Sequence, residues 1–281
     1  MGKTKTKPKA KSKARKAKGG LTAAAANKHW LYENSVQNPE AEVEFIDRVY
    51  RAEFGRLPRR LREDFCGTAY LSRTWVEQRP DNTAVGVDLD GPTLDYGREH
   101  HLAALGDRAD AVTLIQADVR DVQEPKCDVL AATNFSWWGF HAREELLGYL
   151  RNCRASLKEA GMLMMDIYGG PEAQVLQLEE RECEGFTYIW DQDVFSPITH
   201  AYTCRIHYRF PDGTELNNAF TYEWRLWTLP EIRDLLAEAG FRTVTVFWEG
   251  ADEDGEPDGI FVPSLEGDTA SAWVAYVVAF V

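Results

Sequence analysis

The stretch Arg62-Glu63-Asp64-Phe65-Cys66-Gly67-Thr68-Ala69 decides the fold of this chain. It predicts a strand that runs into a turn of small residues and then into a helix. Such a turn lets a ligand approach the backbone closely, and the first turn of the helix offers it free N–H groups. Phe65 and Ala69 stand where glycine is common in turns of this kind. The stretch therefore needs support from the strands that follow it.

Three further strand ends supply that support. The segment 85–88 is an apolar strand that ends in the carboxylate of Asp88, 21 positions after Gly67. An acid at this spacing and place accepts the ribose hydroxyls of an adenosine cofactor, and the alternative role is a helix N-cap. Later strands end at Asp118 and open into a loop at Asn134. Because ligands of open α/β sheets bind at the carboxyl ends of the strands, we expect these side chains to share one site.

The rest of the chain alternates strands and helices, with one interruption. We predict strands near 59–65, 83–89, 112–118, 127–134 and 162–168, and again at 242–248 and 272–280. A helix at 142–160 is predicted to end at Gly161 as its C-cap. Residues 171–227 break the alternation with three strand-like runs, near 186–192, 201–210 and 216–227. Repeated β-α-β units favour a parallel sheet with helices on both faces.

The ordered set of motifs resembles the class I S-adenosylmethionine-dependent methyltransferases, over roughly 57–170 and again over 225–281. The resemblance implies a Rossmann-like, doubly wound α/β sheet of seven strands with the last one antiparallel. It also implies an antiparallel β lid inserted after strand five. We therefore expect five parts: a disordered basic tail (1–20), an N-terminal helical cofactor lid (21–56), an S-adenosylmethionine-binding core (57–170), a substrate lid (171–227) and the completion of the core (228–281).

The resemblance also implies the cofactor, S-adenosyl-L-methionine, and the product S-adenosyl-L-homocysteine. Glu63 to Ala69 stands in for the acidic glycine motif of the family, and Asp118 with Val119 matches the adenine-binding position. Asn134 and Phe135 match the loop that lines the methyl-transfer centre. Tyr32 and Gln37 are candidates for a lid over the cofactor, with simple helix packing as the alternative. The predicted cofactor-binding residues are Tyr32, Gln37, Arg62, Glu63, Cys66, Gly67, Thr68, Asp88, Asp118, Val119, Asn134 and Phe135.

The first strand departs from the family pattern because it is charged. A buried charge must be paired or hydrogen-bonded, since it otherwise costs several kcal/mol. One explanation is a structural ion-pair network. The other, which we favour at this point, is that Arg62 pairs with the carboxylate of the methionine moiety while Glu63 or Asp64 orients its ammonium.

Methyl transfer needs alignment more than acid-base chemistry, because the sulfonium methyl group is already activated. No metal site is predicted. Where an amine must lose a proton, the candidate bases are His141, Asp166, Tyr168 and Glu223. His141 is the first choice, with a solvent-facing histidine as the alternative. Tyr222 belongs to the lid aromatics that could enclose a substrate or attract a cationic amine; the alternative is that these rings form the lid's own core or a homodimer interface. The predicted catalytic residues are His141, Tyr168 and Tyr222.

Charge and composition restrict the partners. Residues 1–18 carry nine basic side chains and no acid, whereas the remainder carries 23 basic and 45 acidic side chains, a charge of −22. Such a body repels nucleic acid and anionic membranes, so polyanion contact is expected only through residues 1–20. An odd count of five cysteines without metal spacing predicts a reducing, cytoplasmic location. No apolar run of membrane-spanning length and no signal peptide are found in the sequence.

A methyltransferase of small molecules, acting on N or O, is the function that these observations favour. Two alternatives stay open: a protein or RNA methyltransferase that docks through the basic tail, and a non-catalytic protein that binds S-adenosylmethionine.

Overall fold

A computed structural model describes residues 21–252 and 257–281. The predictions for the basic tail lie outside the described residues. The helices are α1 (Lys28–Ser35), α2 (Pro39–Phe54), α3 (Tyr70–Gln78), α4 (Gly91–Gly97), α5 (Arg143–Ser156) and α6 (Leu229–Glu238). The strands are β1 (Arg60–Asp64), β2 (Thr83–Asp88), β3 (Val112–Gln116), β4 (Cys127–Ala132), β5 (Leu157–Gly169), β6 (Gln177–Cys183), β7 (Phe186–Phe195), β8 (Ala201–Arg209), β9 (Glu215–Arg225), β10 (Thr243–Ala251), β11 (Pro257–Ser264) and β12 (Trp273–Phe280).

The larger sheet has the order β11-β10-β12-β5-β4-β1-β2-β3. Strands β3, β2, β1, β4 and β5 are parallel, and β12 runs antiparallel to both β5 and β10. The predicted fold class is confirmed, including the antiparallel last strand. The sheet has eight strands rather than seven, because β11 folds back on β10 as an extra edge strand.

Helices cover both faces of this sheet because its central strands are buried on both sides. Alternate residues of a strand point to opposite faces. Leu130 and Leu163 pack against α5 and α6, whereas Val129 and Met164 pack against α2 and α3. The apolar side chains of the helices fill the two layers, with Leu146, Leu150, Ile232 and Leu235 on one face and Ile46, Val49, Leu71 and Trp75 on the other.

The ends of the helices follow from local sequence. Asn27 caps α1 by accepting hydrogen bonds from the backbone N–H groups of residues 29 and 30. Thr228 and Glu231 form a reciprocal capping box at the start of α6. The predicted end of α5 at Gly161 is wrong. The helix ends at Ser156, and Gly161 lies within β5, where an added Cβ would stand 2.6 Å from Leu157 Cβ and from Lys158 O.

A separate antiparallel sheet of order β6-β7-β8-β9 forms the lid after β5. The sequence predicts three of these strands and misses β6, whose residues are mostly exposed and polar. The lid is not isolated, since Tyr202, Trp224 and Leu226 are buried in the same core as β5 and α5. Helix α1 packs on the lid as well, with Leu31 beside Phe186 and Ile206. The N-terminal helix and the lid therefore stand together above the carboxyl edge of the large sheet.

None of the helices in the described part of the chain combines the length and the apolar character that a membrane crossing requires.

Candidate active site

The turn after β1 has an unusual backbone. Phe65, Gly67 and Ala69 all have positive φ, at 57°, 52° and 60°. Glycine adopts this conformation freely, whereas a side chain there costs about 1 kcal/mol or more. Phe65 and Ala69 therefore hold the shape that glycine gives in similar turns. The hydrogen bond from Cys66 N to Val87 O, at 3.0 Å, ties the turn to β2.

Asp88 braces this turn from the end of β2. Its Oδ2 accepts a hydrogen bond from Gly67 N at 2.8 Å, and its Oδ1 accepts one from Asp90 N at 2.9 Å. Each carboxylate oxygen retains a second lone pair for a ligand. Beside it lies a cavity of about 310 Å³, lined by Phe65, Asp88, Leu89, Asp118, Phe140 and Glu145 among others. This is the edge at which the sequence predicts ribose and adenine binding.

Asp118 and Val119 lie in the turn after β3. The Asp118 carboxylate is held by the guanidinium of Arg120, at 2.9 and 2.6 Å, and this pairing keeps its pKa below the usual range. Val119 is buried, and its carbonyl oxygen accepts hydrogen bonds from Arg62 and from Asn152. The turn that carries Asp118 is therefore held in place by buried hydrogen bonds to Arg62 and Asn152.

Arg62 does not occupy the place that we favour for it from the sequence. It is 1% exposed, and its guanidinium pairs with Asp64 at 2.6 and 3.1 Å. Its other bonds go to the carbonyl oxygens of Val119 and Val122 and to Ser156 Oγ. All five donors are used inside the protein, so none is left for a methionine carboxylate. The structural ion-pair network is the explanation that fits.

Glu63 lies behind the turn rather than in the open cavity. It is buried and accepts hydrogen bonds from Ser72 N and Ser72 Oγ, at 2.9 and 2.6 Å. Burial raises the pKa of Glu63 to about 7, although the two bonds to Ser72 oppose this shift. Cys66 is buried as well, and burial raises the pKa of its thiol well above the usual value.

Helix α1 is fastened to the turn by a buried carboxylate. Glu33 Oε1 accepts a hydrogen bond from Thr68 Oγ1 at 2.7 Å and lies 2.7 Å from His101 Nε2. The His101 ring stacks on Tyr70 at a centroid distance of 4.9 Å. Nearby along the chain, Gln37 Oε1 is buried and has no hydrogen-bond partner among the described residues. An orphaned acceptor of this kind suits a ligand that brings N–H donors.

A second cavity, of about 370 Å³, lies between the lid and the ends of β4, β5 and β12. Eight of its lining residues are aromatic: Tyr32, Phe135, Tyr168, Tyr188, Trp190, Tyr222, Trp224 and Trp273. Three are carboxylic acids: Glu172, Glu179 and Glu249. Among the described residues that line it, none is Lys, Arg or His.

Two of the three predicted catalytic residues reach this cavity. Tyr168 and Tyr222 line it together with Asn134 and Phe135. His141 does not, because it is exposed on a loop and its Nε2 lies 3.0 Å from the carbonyl oxygen of Glu223. Glu223 is exposed as well, and its Oε2 accepts a hydrogen bond from Thr203.

Asp166, another candidate base, is already engaged. Its two oxygens accept hydrogen bonds from Asn134 N at 2.6 Å and from Phe135 N at 2.9 Å. Asn134 and Phe135 both have positive φ, at 57° and 56°, so the carboxylate closes a turn of two left-handed residues. The Asp166 carboxylate therefore binds backbone N–H groups and is not placed to accept a proton from a substrate.

Several acids of the site are absent from the sequence-based predictions, namely Glu33, Glu42, Glu172 and Glu179. Glu33 directly follows the predicted Tyr32, but its partners are 35 and 68 positions away and no local pattern shows them. Glu172 and Glu179 belong to an acidic stretch after β5, which the sequence suggests only as part of a lid. Burial raises the pKa of Glu42 in α2, and the charges of Asp166 and Glu63 raise it further.

Comparison with known proteins bears directly on this site. Residues 66–163, which contain the turn, Asp88, Asp118 and Asn134, match a family model described as a methyltransferase domain. The chain carries a methyltransferase domain. No curated protein matches the sequence.

Solved structures extend the likeness of this methyltransferase to the lid. An S-adenosylmethionine-dependent methyltransferase from Clostridium acetobutylicum has a TM-score of 0.65 at 14% identity, over 90% of this chain and 97% of that one. A sugar N-methyltransferase from Streptoalloteichus sp. has a TM-score of 0.61 at 20% identity, over 96% and 98%. An amino pentose methyltransferase from Micromonospora echinaspora has a TM-score of 0.63 at 16% identity, over 90% and 95%.

At these identities the likeness shows a shared fold, here the class I methyltransferase fold with its lid. The predicted resemblance is confirmed at the level of domain and fold, and with it the interpretation as an S-adenosylmethionine-dependent methyltransferase. The residues fit this cofactor: Asp88 stands beside the cavity at the end of β2, and Gln37 offers a buried acceptor without a partner. The individual cofactor contacts stay predictions.

Proposed function

We propose that this chain transfers the methyl group of S-adenosylmethionine to the nitrogen of a small molecule that carries a protonatable amine. The observation that supports this most is the composition of the 370 Å³ cavity, which combines eight aromatic side chains with three carboxylic acids. Aromatic faces and carboxylates both attract an ammonium group. A carboxylate or phosphate acceptor would meet no cationic side chain among the described lining residues.

The buried acids strengthen this preference. Burial raises the pKa of Glu42, and the charges of Asp166 and Glu63 lie close enough to raise it further. Negative charge in a water-poor site acts over longer distances than in water. A bound cation favours the ionised form of these acids, which suits a sulfonium donor and an ammonium acceptor.

The residues of the cavity position and enclose the acceptor. Bound S-adenosylmethionine supplies a methyl group that is already electrophilic. Burial raises the pKa values of Tyr168 and Tyr222, so both remain neutral phenols that orient an amine by hydrogen bonds and by their ring faces. The ammonium must lose its proton before the lone pair attacks, and Glu172 and Glu179 are cavity carboxylates that can take it.

A matched panel of acceptors tests the proposal. We expect S-adenosylhomocysteine to form with small cyclic and linear amines, and not with the alcohols that have oxygen in place of the nitrogen. Trp190→Leu removes an aromatic face beside Trp224 and Tyr222. It should raise the KM for the amine by about tenfold, since a desolvated cation–π contact contributes about 1–2 kcal/mol.

His141→Gln is the control, because His141 lies outside the cavity, and its turnover should equal that of the unaltered protein. Equal methylation of amine and alcohol would contradict the proposal, as would a Trp190→Leu protein with an unchanged KM.

A further inference from the structure

We propose that Asp166 is the positioning residue of the acceptor site: its ionised carboxylate shapes the Asn134–Phe135 turn and so places the wall against which the acceptor rests. The inference rests on the proposed function for its kinetic consequence. The claim that Asp166 holds the Asn134–Phe135 turn depends only on the contacts of Asp166.

The contacts form a clamp. Each carboxylate oxygen of Asp166 accepts one backbone N–H, from Asn134 at 2.6 Å and from Phe135 at 2.9 Å. The Asp166 carbonyl oxygen accepts a third bond from Trp137 Nε1 at 3.0 Å. Three residues of the loop after β4 are thus held by one residue of β5. Hydrogen bonds from backbone N–H groups to an ionised carboxylate are stronger than those between neutral groups.

The held turn would not keep its shape unaided. Two consecutive residues with side chains have positive φ, and each of them costs about 1 kcal/mol or more. What the turn presents is functional surface: Asn134 and Phe135 line the acceptor cavity, and the Phe135 ring packs on Tyr168 at 4.8 Å and on Trp224 at 6.2 Å. Releasing the clamp therefore changes the wall of the cavity and the positions of its aromatic rings.

The clamp depends on ionisation. A protonated carboxyl turns one of its two acceptor oxygens into a donor that faces an N–H group. The titratable groups that face Asp166 are acids and phenols: Glu42 of α2, Tyr32 of α1 and Tyr276 of β12. Burial raises the pKa of Asp166 to about 7, while its two backbone bonds oppose the shift. The carboxylate is therefore half ionised near pH 7, and the clamp is complete at higher pH and lost as the pH falls through that value.

The direct test follows the backbone amides of Asn134 and Phe135 by NMR between pH 5 and pH 9. In the unaltered protein both amide signals should shift together with a midpoint near pH 7. In Asp166→Asn, which has nearly the same size, the shift should vanish. Signals that do not move over this range, or that titrate equally in Asp166→Asn, would overturn the inference. No acceptor is needed, so this result stands even if the chain methylates no amine.

Measurements of kcat/KM then distinguish a positioning role of Asp166 from a role in stability alone. Asp166→Asn should lower kcat/KM for the acceptor by about 10- to 100-fold, because small misplacements at a reacting centre have effects of that size. Asp128→Asn is the matched control: Asp128 is 2% exposed and accepts bonds from Arg59 N and Arg60 N at 3.2 and 2.9 Å, but at the opposite end of the sheet. It should change the melting temperature and leave kcat/KM unaltered. Equal kinetic losses in the two variants would overturn the positioning role.

Discussion

Arg62 explains why a charged first strand is tolerated in this fold. The strand is central, between β2 and β4, and its side chains are buried. Arg62 reaches from it to the carbonyl oxygens of Val119 and Val122, at 2.8 and 2.5 Å. These two carbonyls flank the short turn that follows Asp118. The charge in the strand thus fixes the loop expected to bind adenine, although Arg62 itself does not reach the cavity.

Replacing the pair Arg62 and Asp64 should separate stability from cofactor affinity. Arg62→Met alone leaves Asp64 buried without its cation, and we expect a loss of about 3–5 kcal/mol in the free energy of unfolding. The double variant with Arg62→Met and Asp64→Leu should recover most of that loss, because well-packed apolar residues often replace a buried ion pair without cost. Its affinity for S-adenosylhomocysteine should still fall by about tenfold, or about 1.4 kcal/mol.

Urea unfolding and titration calorimetry give the two quantities. A double variant that is stable and binds S-adenosylhomocysteine as tightly as the unaltered protein would contradict this prediction. The Arg62–Asp64 network would then not contribute to cofactor affinity.

The roles of Arg62 and Glu33 show what the sequence could not reveal. The motif spacing predicts Asp88, Gly67 and Asn134 because each lies at a strand end that the alternation of strands and helices defines. Apart from Asp64, two positions on, the partners of Arg62 lie 57 to 94 positions away. Side-chain pairing over such distances follows from the packed fold and leaves no local pattern. Hence the sequence favours a cofactor contact for the charged strand, where the structure has a buried network.

Helix α1 contacts three segments that are distant in the sequence: the lid, the turn after β1 and the segment after α4. It packs on the lid through Leu31, and Glu33 bonds both the turn at Thr68 and the segment after α4 at His101. Gly97 of α4 lies so close to Thr68 that an added Cβ would stand 2.4 Å from its carbonyl oxygen. Helix α1 is therefore fixed to the lid and to the turn, which agrees with the predicted role of a cofactor lid.

Glu33→Gln tests this cover. The amide keeps the size of the carboxylate but loses its charge, so the contacts with Thr68 and His101 weaken and α1 should be held less firmly over the turn. We expect the dissociation rate of S-adenosylhomocysteine to rise by about tenfold, in line with the 1.5–3 kcal/mol of a charge-assisted hydrogen bond. Stopped-flow fluorescence measures it.

Glu44→Gln, an exposed carboxylate of α2, is the control and should leave the rate unchanged. An unchanged rate in Glu33→Gln as well would mean that α1 does not gate the product.

The elements with a clear apolar periodicity could be predicted from the sequence. The edge strands β6 and β11 could not. The parallel strands and the β7 to β9 hairpins follow from apolar runs and alternation. Strand β6 is nearly all polar at an edge, and β11 begins within the acidic segment 249–259, whose Gly and Pro residues indicate a loop. The β5 error has a similar cause: Gly161 suggests a helix cap, but the strand pairs already from Leu157 with Cys127.

Across the whole molecule the two cavities follow the order of the strands. The cavity with Asp88 and Asp118 lies over the ends of β1, β2 and β3, and the acceptor cavity lies over β4, β5 and β12. Because β1 and β4 are neighbours in the sheet, a cofactor with its ribose at Asp88 can direct its sulfur toward the acceptor side. The two cavities thus lie along one edge of the sheet, as the proposed transfer requires.

The charge of the molecule agrees with a cationic acceptor. Outside residues 1–18 the chain has a charge of −22, and its acceptor cavity contributes Glu172, Glu179 and Glu249. Such a body raises the local concentration of cations. The alternative of a protein or RNA acceptor depends on the basic tail, which lies outside the described residues.

A crystal structure with S-adenosylhomocysteine bound tests the central claim most directly. We predict that the ribose hydroxyls lie within hydrogen-bond distance of the Asp88 carboxylate and that the sulfur faces the cavity lined by Phe135, Tyr168 and Tyr222. A product bound away from Asp88, or one whose sulfur points away from that cavity, would contradict the account.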